Sequence, residues 1–182
     1  MVTEKKKYTD TWEHDDYRKF SPAERFCQLM PEVIPGRLID WGTGTGRQAL
    51  AFHKKGFQVT MVDIADNCLD DEVQEEIGDK LLIQTLWDPV QATFDYGVCC
   101  DVMEHLPTEY VVIALKNMIL HSKHTFFSIS NTSDDFGQIV GYTLHLTVKP
   151  FVWWRDLLRD LLVVEDARDV QGNSVFWVRR DV

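Results

Sequence analysis

Three acids stand where short apolar runs give way to turns: Asp40, Asp63 and Asp101. Asp40 heads the stretch Asp40-Trp41-Gly42-Thr43-Gly44-Thr45-Gly46, whose alternating glycines precede an amphipathic run from Arg47 to Gly56. Glycines at this spacing let a backbone turn sharply and approach a ligand closely. A dinucleotide turn has the form G-x-G-x-x-G, with a pyrophosphate resting on amides at the helix start. Here Arg47 holds the place of the third glycine, and the Asp40 carboxylate would repel a pyrophosphate while attracting an ammonium group. Asp63 follows Gly46 by 17 positions, where an acid can accept hydrogen bonds from both hydroxyls of a ribose. The chemistry implied is recognition of a ribose and an ammonium without phosphate.

The elements that must hold these acids follow from the pattern. Arg37 to Asp40 reads as a first strand, and Thr45 to Gly56 as a helix closed by Gly56. A second strand, Phe57 to Asp63, leads to a helix from Asn67 to Gly78. Lys80 to Trp87 reads as a third strand and Phe94 to Cys100 as a fourth. Pro107 opens a helix that runs to Leu120, and Lys123 to Ser130 is a fifth strand. Lys149 to Leu162 is a helix, and two closing strands flank the turn Gln171-Gly172-Asn173. Upstream, Ser21, Pro22 and Glu24 spell a capped helix start. Strands alternating with helices imply an α/β, three-layer sandwich around a mostly parallel sheet, and the short turn between the two closing strands makes one of them antiparallel. Ligands in such sheets bind beyond the carboxyl ends of the strands, here after Asp40, Asp63, Leu86, Cys100 and Ser130.

The 182 residues suit one domain, expected over 21–182, with 1–20 as an N-terminal tail or a cofactor lid. In the lid version Trp12 and Tyr17 fold over the cofactor and Arg18 meets its carboxylate. A net charge of −10 disfavours nucleic acid as a partner, except through a partner protein. The four cysteines form no Cys-x-x-Cys pair, and no run approaches the roughly 18 apolar residues of a membrane span. The expectation is a cytoplasmic protein; its oligomeric state stays open.

S-adenosylmethionine joins an adenosine to a zwitterionic amino acid through a sulfonium and carries no phosphate, which fits the acids and the turn. On "DWGTGTG", "VTMVD" and "VCCDVMEHLP" the chain resembles the class I, seven-strand methyltransferases that use S-adenosylmethionine. The combination "DVMEHLP … LHLTVKPFVWW" is similar to small stand-alone methyltransferase-like proteins of bacteria and their phages. The resemblance runs from about Arg37 to the end and implies a mostly parallel seven-stranded sheet with an antiparallel last strand, which matches the closing hairpin. It implies that Asp40, Gly42, Gly44 and Gly46 line the methionine part, that Asp63 and Ile64 hold the ribose and cover the adenine, and that the sulfonium faces Asp101. Many relatives place an acid before a hydrophobic residue after the third strand. Here Thr85 precedes Leu86, so either backbone groups hold the adenine or Asp88 reaches in.

Methyl transfer from a sulfonium is an in-line displacement that positioning alone can accelerate. A base is needed only where the acceptor must lose a proton. Asp101, Glu104, His105, Asp134, Asp135 and His145 all fall on the expected rim. His145, near Tyr142 and upstream of Trp153 and Trp154, is the best-placed catalytic candidate, with Asp101 beside the sulfonium. The competing reading has His145 merely ordering its loop. Glu104 and His105 are expected to bond backbone at the next helix's start.

Trp153, Leu157, Leu158 and Leu161 read as core, while the Trp154 indole could border the pocket mouth. His121 and His124 lack a third ligand, so no metal is expected. Cys99 and Cys100 read as buried hydrophobes. The chain lacks the Asp/Asn-Pro-Pro-aromatic tetrad of nucleic-acid amino-methyltransferases and the Pro-Cys of base-carbon enzymes. The function expected is S-adenosylmethionine-dependent methyl transfer to a small molecule or exposed group. The alternative is a non-catalytic subunit that binds S-adenosylmethionine or S-adenosylhomocysteine for regulation or assembly.

Overall fold

A computed structural model describes residues 3–19, 25 and 27–181. The helix start at Ser21, Pro22 and Glu24 lies outside the described residues. Helices α1 (Glu4–Trp12) and α2 (Asp15–Lys19) precede β1 (Arg37–Trp41), α3 (Arg47–Lys54), β2 (Gln58–Asp63) and α4 (Asp71–Ile77). Then come β3 (Leu81–Ile83), β4 (Phe94–Cys100), α5 (Thr108–His121) and β5 (Ser122–Ser130). A short α6 (Gly137–Val140), α7 (Phe151–Arg159), β6 (Val163–Val170) and β7 (Asn173–Arg179) complete the order.

The seven strands lie in the order β3-β2-β1-β4-β5-β7-β6. β1 pairs in parallel with β2 and β4, and β4 with β5, while β7 runs antiparallel to both β5 and β6. The antiparallel strand is the last one, as expected. Gln171 and Gly172, at φ 52° and 82°, make the tight turn that joins β6 to β7.

Alternation along the central strands divides the core. Ile39, Trp41, Cys99, Phe127 and Phe176 face one side, where α5 and α7 cover them with Leu115, Met118, Trp154 and Leu158. Leu38, Val98, Cys100, Phe126 and Trp177 face the other, against Ala49 and Leu50 of α3 and Val73 and Ile77 of α4. Strands buried on both faces need apolar side chains on both, and β1 supplies Leu38, Ile39 and Trp41 while β4 supplies Val98, Cys99 and Cys100. Trp154 is fully buried and Trp153 only partly, so the pocket-mouth expectation for Trp154 is corrected: its indole belongs to the core.

β3 is shorter than its sequence implies and ends at Ile83. Asp88 accepts hydrogen bonds from the Thr85 amide at 3.0 Å and the Thr85 hydroxyl at 2.6 Å. These local bonds bend the chain away from β2 and offer the backbone an alternative to the sheet. The carboxyl edge of the sheet is therefore marked by Trp41, Asp63, Ile83, Cys100 and Ser130.

Candidate active site

The turn after β1 is built from positive-φ glycines. Gly42 and Gly44 sit at φ 73° and 52°, a region that side-chain-bearing residues seldom adopt. A Cβ on Gly42 would fall 2.6 Å from Val102 Cγ2, and one on Gly44 would fall 2.9 Å from the Trp12 ring. Asp63, at the tip of β2, braces this turn: its carboxylate accepts from the Gly44 amide at 2.9 Å and the Ala65 amide at 3.0 Å. Each carboxylate oxygen keeps a further acceptor direction, which a ribose hydroxyl could use. Burial pushes the Asp63 carboxyl up, and the backbone bonds act in the opposite direction.

Asp40 lies behind the turn. It is 2% exposed, and its carboxylate accepts from Thr43 Oγ1 at 2.7 Å and Gln48 Nε2 at 3.1 Å. Burial pushes this carboxyl up to about 7. Gly46 packs inward against Val73 and Leu69. Neither Asp40 nor Gly46 is in the cavity wall, whereas Gly42, Asp63, Ile64, Thr85, Leu86 and Asp101 are.

That cavity encloses roughly 660 Å³ of empty space, open solvent included, and its surface is mainly apolar. Asp63 and Ile64 form one end, Thr85 to Trp87 a side, and Asp101, Val102 and His105 the other end. A second compartment shares Trp12, Tyr17, Gly42, Asp101 and His105 with the first and adds Asp134, Asp135, Phe136, Leu144 and His145. Asp88, bonded to Thr85, is in neither wall.

The roof comes from the N-terminal helices, which place Glu4, Tyr8, Trp12 and Tyr17 over the first compartment. Trp12 meets Tyr17 edge-on at 4.8 Å, and Tyr17 meets Phe136 at 5.2 Å. Arg18 does not face the cavity, which corrects its expected contact with a cofactor carboxylate. Its guanidinium donates to the carbonyls of Trp12, Asn67, Cys68 and Leu69 and pairs with Asp70. Tyr142 donates to Asp10 at 2.6 Å, tying α1 to the loop after α6.

At the tip of β4 four chemistry-bearing residues meet. Asp101 takes a φ of 59°, strained for a non-glycine residue, with its amide donating to the Ser128 carbonyl at 2.8 Å. A 3₁₀ turn, Met103–His105, then aligns Glu104 and His105 with it. Glu104 does not bond the next helix's start as expected; it reaches across to β5, where its Oε1 accepts the Ser130 amide at 2.7 Å. The Glu104 carbonyl accepts from the Leu146 and Thr147 amides, both at 2.8 Å, and so draws in the loop that carries His145. His145 Nδ1 bonds the Thr132 carbonyl at 2.7 Å, and its ring stands edge-on to His105 at 4.6 Å. Burial, followed by the nearby Asp101 charge, pushes the Glu104 carboxyl up, and burial holds His105 well below the ordinary histidine range. His145 thus orders its loop through one nitrogen while its ring borders the second compartment.

The remaining sequence candidates take other roles. His121 Nδ1 bonds the Ala92 carbonyl at 2.8 Å and His124 stacks on Trp177, so the two histidines serve separate contacts. Burial pushes the Cys99 and Cys100 thiols well up, which leaves them inert as nucleophiles. Asp134 accepts from the Phe136 and Gly137 amides, shaping the second compartment.

A seven-stranded sheet with an antiparallel last strand and a glycine turn at the tip of β1 is the class I, Rossmann-like methyltransferase architecture. A family profile described as a methyltransferase domain matches residues 12–169, and the chain belongs to that family. It is 30% identical over 103 residues to the ubiquinone biosynthesis O-methyltransferase of Idiomarina loihiensis, covering 52% of this chain and 42% of that one. It is 24% identical over 140 residues to YqeM of Bacillus subtilis, covering 67% of this chain and 57% of that one. The chain therefore spans about half the length of these curated relatives. Among solved structures it is similar to magnesium protoporphyrin IX methyltransferase of Synechocystis PCC 6803 with bound SAH. There the TM-score is 0.65 at 15% identity, covering 100% of this chain and 89% of the other. PH0226 of Pyrococcus horikoshii gives a TM-score of 0.66 at 12% identity, with 93% of each chain covered.

Proposed function

We propose that this chain is an S-adenosylmethionine-dependent methyltransferase acting on a small molecule or exposed group in the cytoplasm, and on nucleic acid only through a partner protein. The observation that carries the reading is one continuous wall from the ribose-competent Asp63, past the Gly42 turn, to the strained Asp101. The residues present fit the cofactor. Asp63 would accept the ribose hydroxyls, Ile64 and Leu86 would flank the adenine, and Thr85 would offer backbone groups to its edge. Gly42 and Gly44 would admit the methionine part. When bound, the cofactor supplies a methyl group on a sulfonium.

The chain's own contribution is then geometric. Trp12 and Tyr17 exclude water from above, and the second compartment presents an acceptor beside Asp101 and His145. His145, oriented through Nδ1, has Nε2 left to take a proton from an acceptor that must lose one. The placement of Asp40 supports a contact with the cofactor's ammonium through water rather than directly.

Calorimetric titration with S-adenosylmethionine, S-adenosylhomocysteine and NAD tests the reading. Binding of the first two without NAD is the expected result, and binding of NAD alone would overturn it. His145→Ala is expected to keep cofactor affinity and lose turnover of an identified acceptor. An equal loss of both would remove the base assignment.

A further inference from the structure

We infer that Asp101, Glu104, His105 and His145 form a binding site for one divalent transition-metal cation at the junction of the two compartments. One donor atom from each lies within 4.8 Å of all the others. Ligand–ion distances of about 2.0–2.2 Å put opposite donors about 4–4.4 Å apart, so the four are nearly at the spacing a single ion imposes. The donors come from two loops that the Glu104 carbonyl stitches together, so the grouping is fixed by backbone bonds.

A second observation points to a missing partner. Glu104 is fully buried; Oε1 accepts the Ser130 amide, while Oε2 receives no donor unless the neighbouring Asp101 carboxyl shares a proton with it. His105 is 8% exposed, bonds the backbone of Leu144, and leaves a buried Nδ1 unpartnered. Buried polar atoms without partners are rare and call for an explanation. The histidines share an arrangement suited to ligation: each engages a backbone group with one side of the ring. His145 holds the Thr132 carbonyl through Nδ1, which leaves Nε2 as the available lone pair. Such outer bonds fix the tautomer and ring direction of metal-ligating histidines.

Two carboxylates and two imidazoles supply mixed oxygen and nitrogen donors with two negative charges. That set suits Mn²⁺, Fe²⁺ or Zn²⁺ better than an all-oxygen ion such as Ca²⁺. Asp101 and His105 wall both compartments and His145 the second, so an ion among them has its open positions toward the acceptor. This deepens the methyltransferase reading and rests on it for the consequence: with His145 Nε2 committed to the ion, the ion in place of His145 would ease the acceptor's loss of a proton by polarising its oxygen. The acceptor class it favours is a hydroxyl compound.

The test uses the full chain, stripped with a chelator and titrated with Mn²⁺ while the six-line resonance of the free ion is followed, and with Zn²⁺ by calorimetry. One equivalent of ion should bind. Glu104→Gln, which can keep the Ser130 bond, and His145→Ala should each weaken that binding at least tenfold. Asp134→Asn, in the same compartment but outside the cluster, should leave it within twofold. S-adenosylhomocysteine titration of each variant reports separately on the fold and the cofactor site. Absence of binding by both ions, or variants that bind as the parent does, would overturn the metal site while leaving the cofactor reading to its own titration.

Discussion

Two pairs of acids, all but Asp101 buried, sit at the carboxyl edge of the sheet and differ in how they are satisfied. Asp40 and Asp63 are bonded by their own turn: every oxygen of the two carboxylates receives a donor from Thr43, Gln48, Gly44 or Ala65. Asp101 and Glu104, one strand over from β1, lie close together, with no donor for Glu104 Oε2 other than a proton shared with Asp101, and with Asp101 on a strained backbone. The first pair shapes a turn and keeps spare acceptor capacity for a ligand. The second pair can bond to itself only by keeping a proton, beside two imidazoles, and a buried polar group in that condition is costly unless something binds it. The difference separates a recognition end from a chemical end within one continuous cavity.

The largest test of this contrast concerns Asp40. Its folded carboxyl, near 7, lies above the ordinary value of 3.8, so the folded state binds more protons between those values. Stability should therefore be greatest near pH 4 as far as this group is concerned, fall as pH rises toward 7, and level off above it. Asp40→Asn should flatten that slope and stabilise the protein at pH 8 by about 2–4 kcal/mol, measured by urea unfolding across the range. A slope of unchanged size would break the assignment, because the raised Asp63 and Glu104 carboxyls keep part of it in either case.

Next comes Asp63→Ala, expected to weaken S-adenosylmethionine binding about a hundredfold, close to 2.7 kcal/mol. Asp63→Asn should lose less, because it retains an acceptor for one amide. Unchanged affinity in both would make Asp63 purely a brace of the turn.

Gly42→Ala should cost about 1–3 kcal/mol in thermal unfolding, since it adds a Cβ at positive φ against Val102. The smallest effect is set by Asp88. Asp88→Ala should cost about 1 kcal/mol through its exposed bonds to Thr85 and leave cofactor affinity within twofold. A large loss of affinity would return Asp88 to the adenine contact.

The recognition end was legible because its signals are local. Three glycines with positive φ, a strand before them and an acid at the next strand's tip lie within 27 residues, Arg37 to Asp63. The chemical end was legible only as separate rim candidates, because His145 reaches Asp101 and Glu104 through loop bonds that no spacing announces. Helix α1 escaped a periodicity reading for a different reason. Its buried face is made of Lys7, Thr11 and Trp12, so polar groups stand where an apolar stripe would be sought. Lys7 is buried by pairing with Glu4, and Thr11 by bonding the Lys7 carbonyl. β3 was read too long because the Thr85–Asp88 bonds compete locally with strand pairing, and Trp154 was placed at the pocket mouth although it, more than Trp153, turns into the core, adjacent helical positions differing by about 100°.

The place of β7 also sets an order of assembly. It follows β6 in the chain yet lies between β5 and β6 in the sheet. The β6–β7 pair closes through a tight turn and can form in microseconds from neighbouring residues alone. Pairing of β7 with β5 must instead wait for contacts distant in sequence, which carry the larger loop-closure cost. The C-terminal hairpin is thus a ready-made unit that docks on β5. Until it does, the β5 edge is an open template, and the speed of that docking governs how long the folding chain is exposed to pairing with a neighbour.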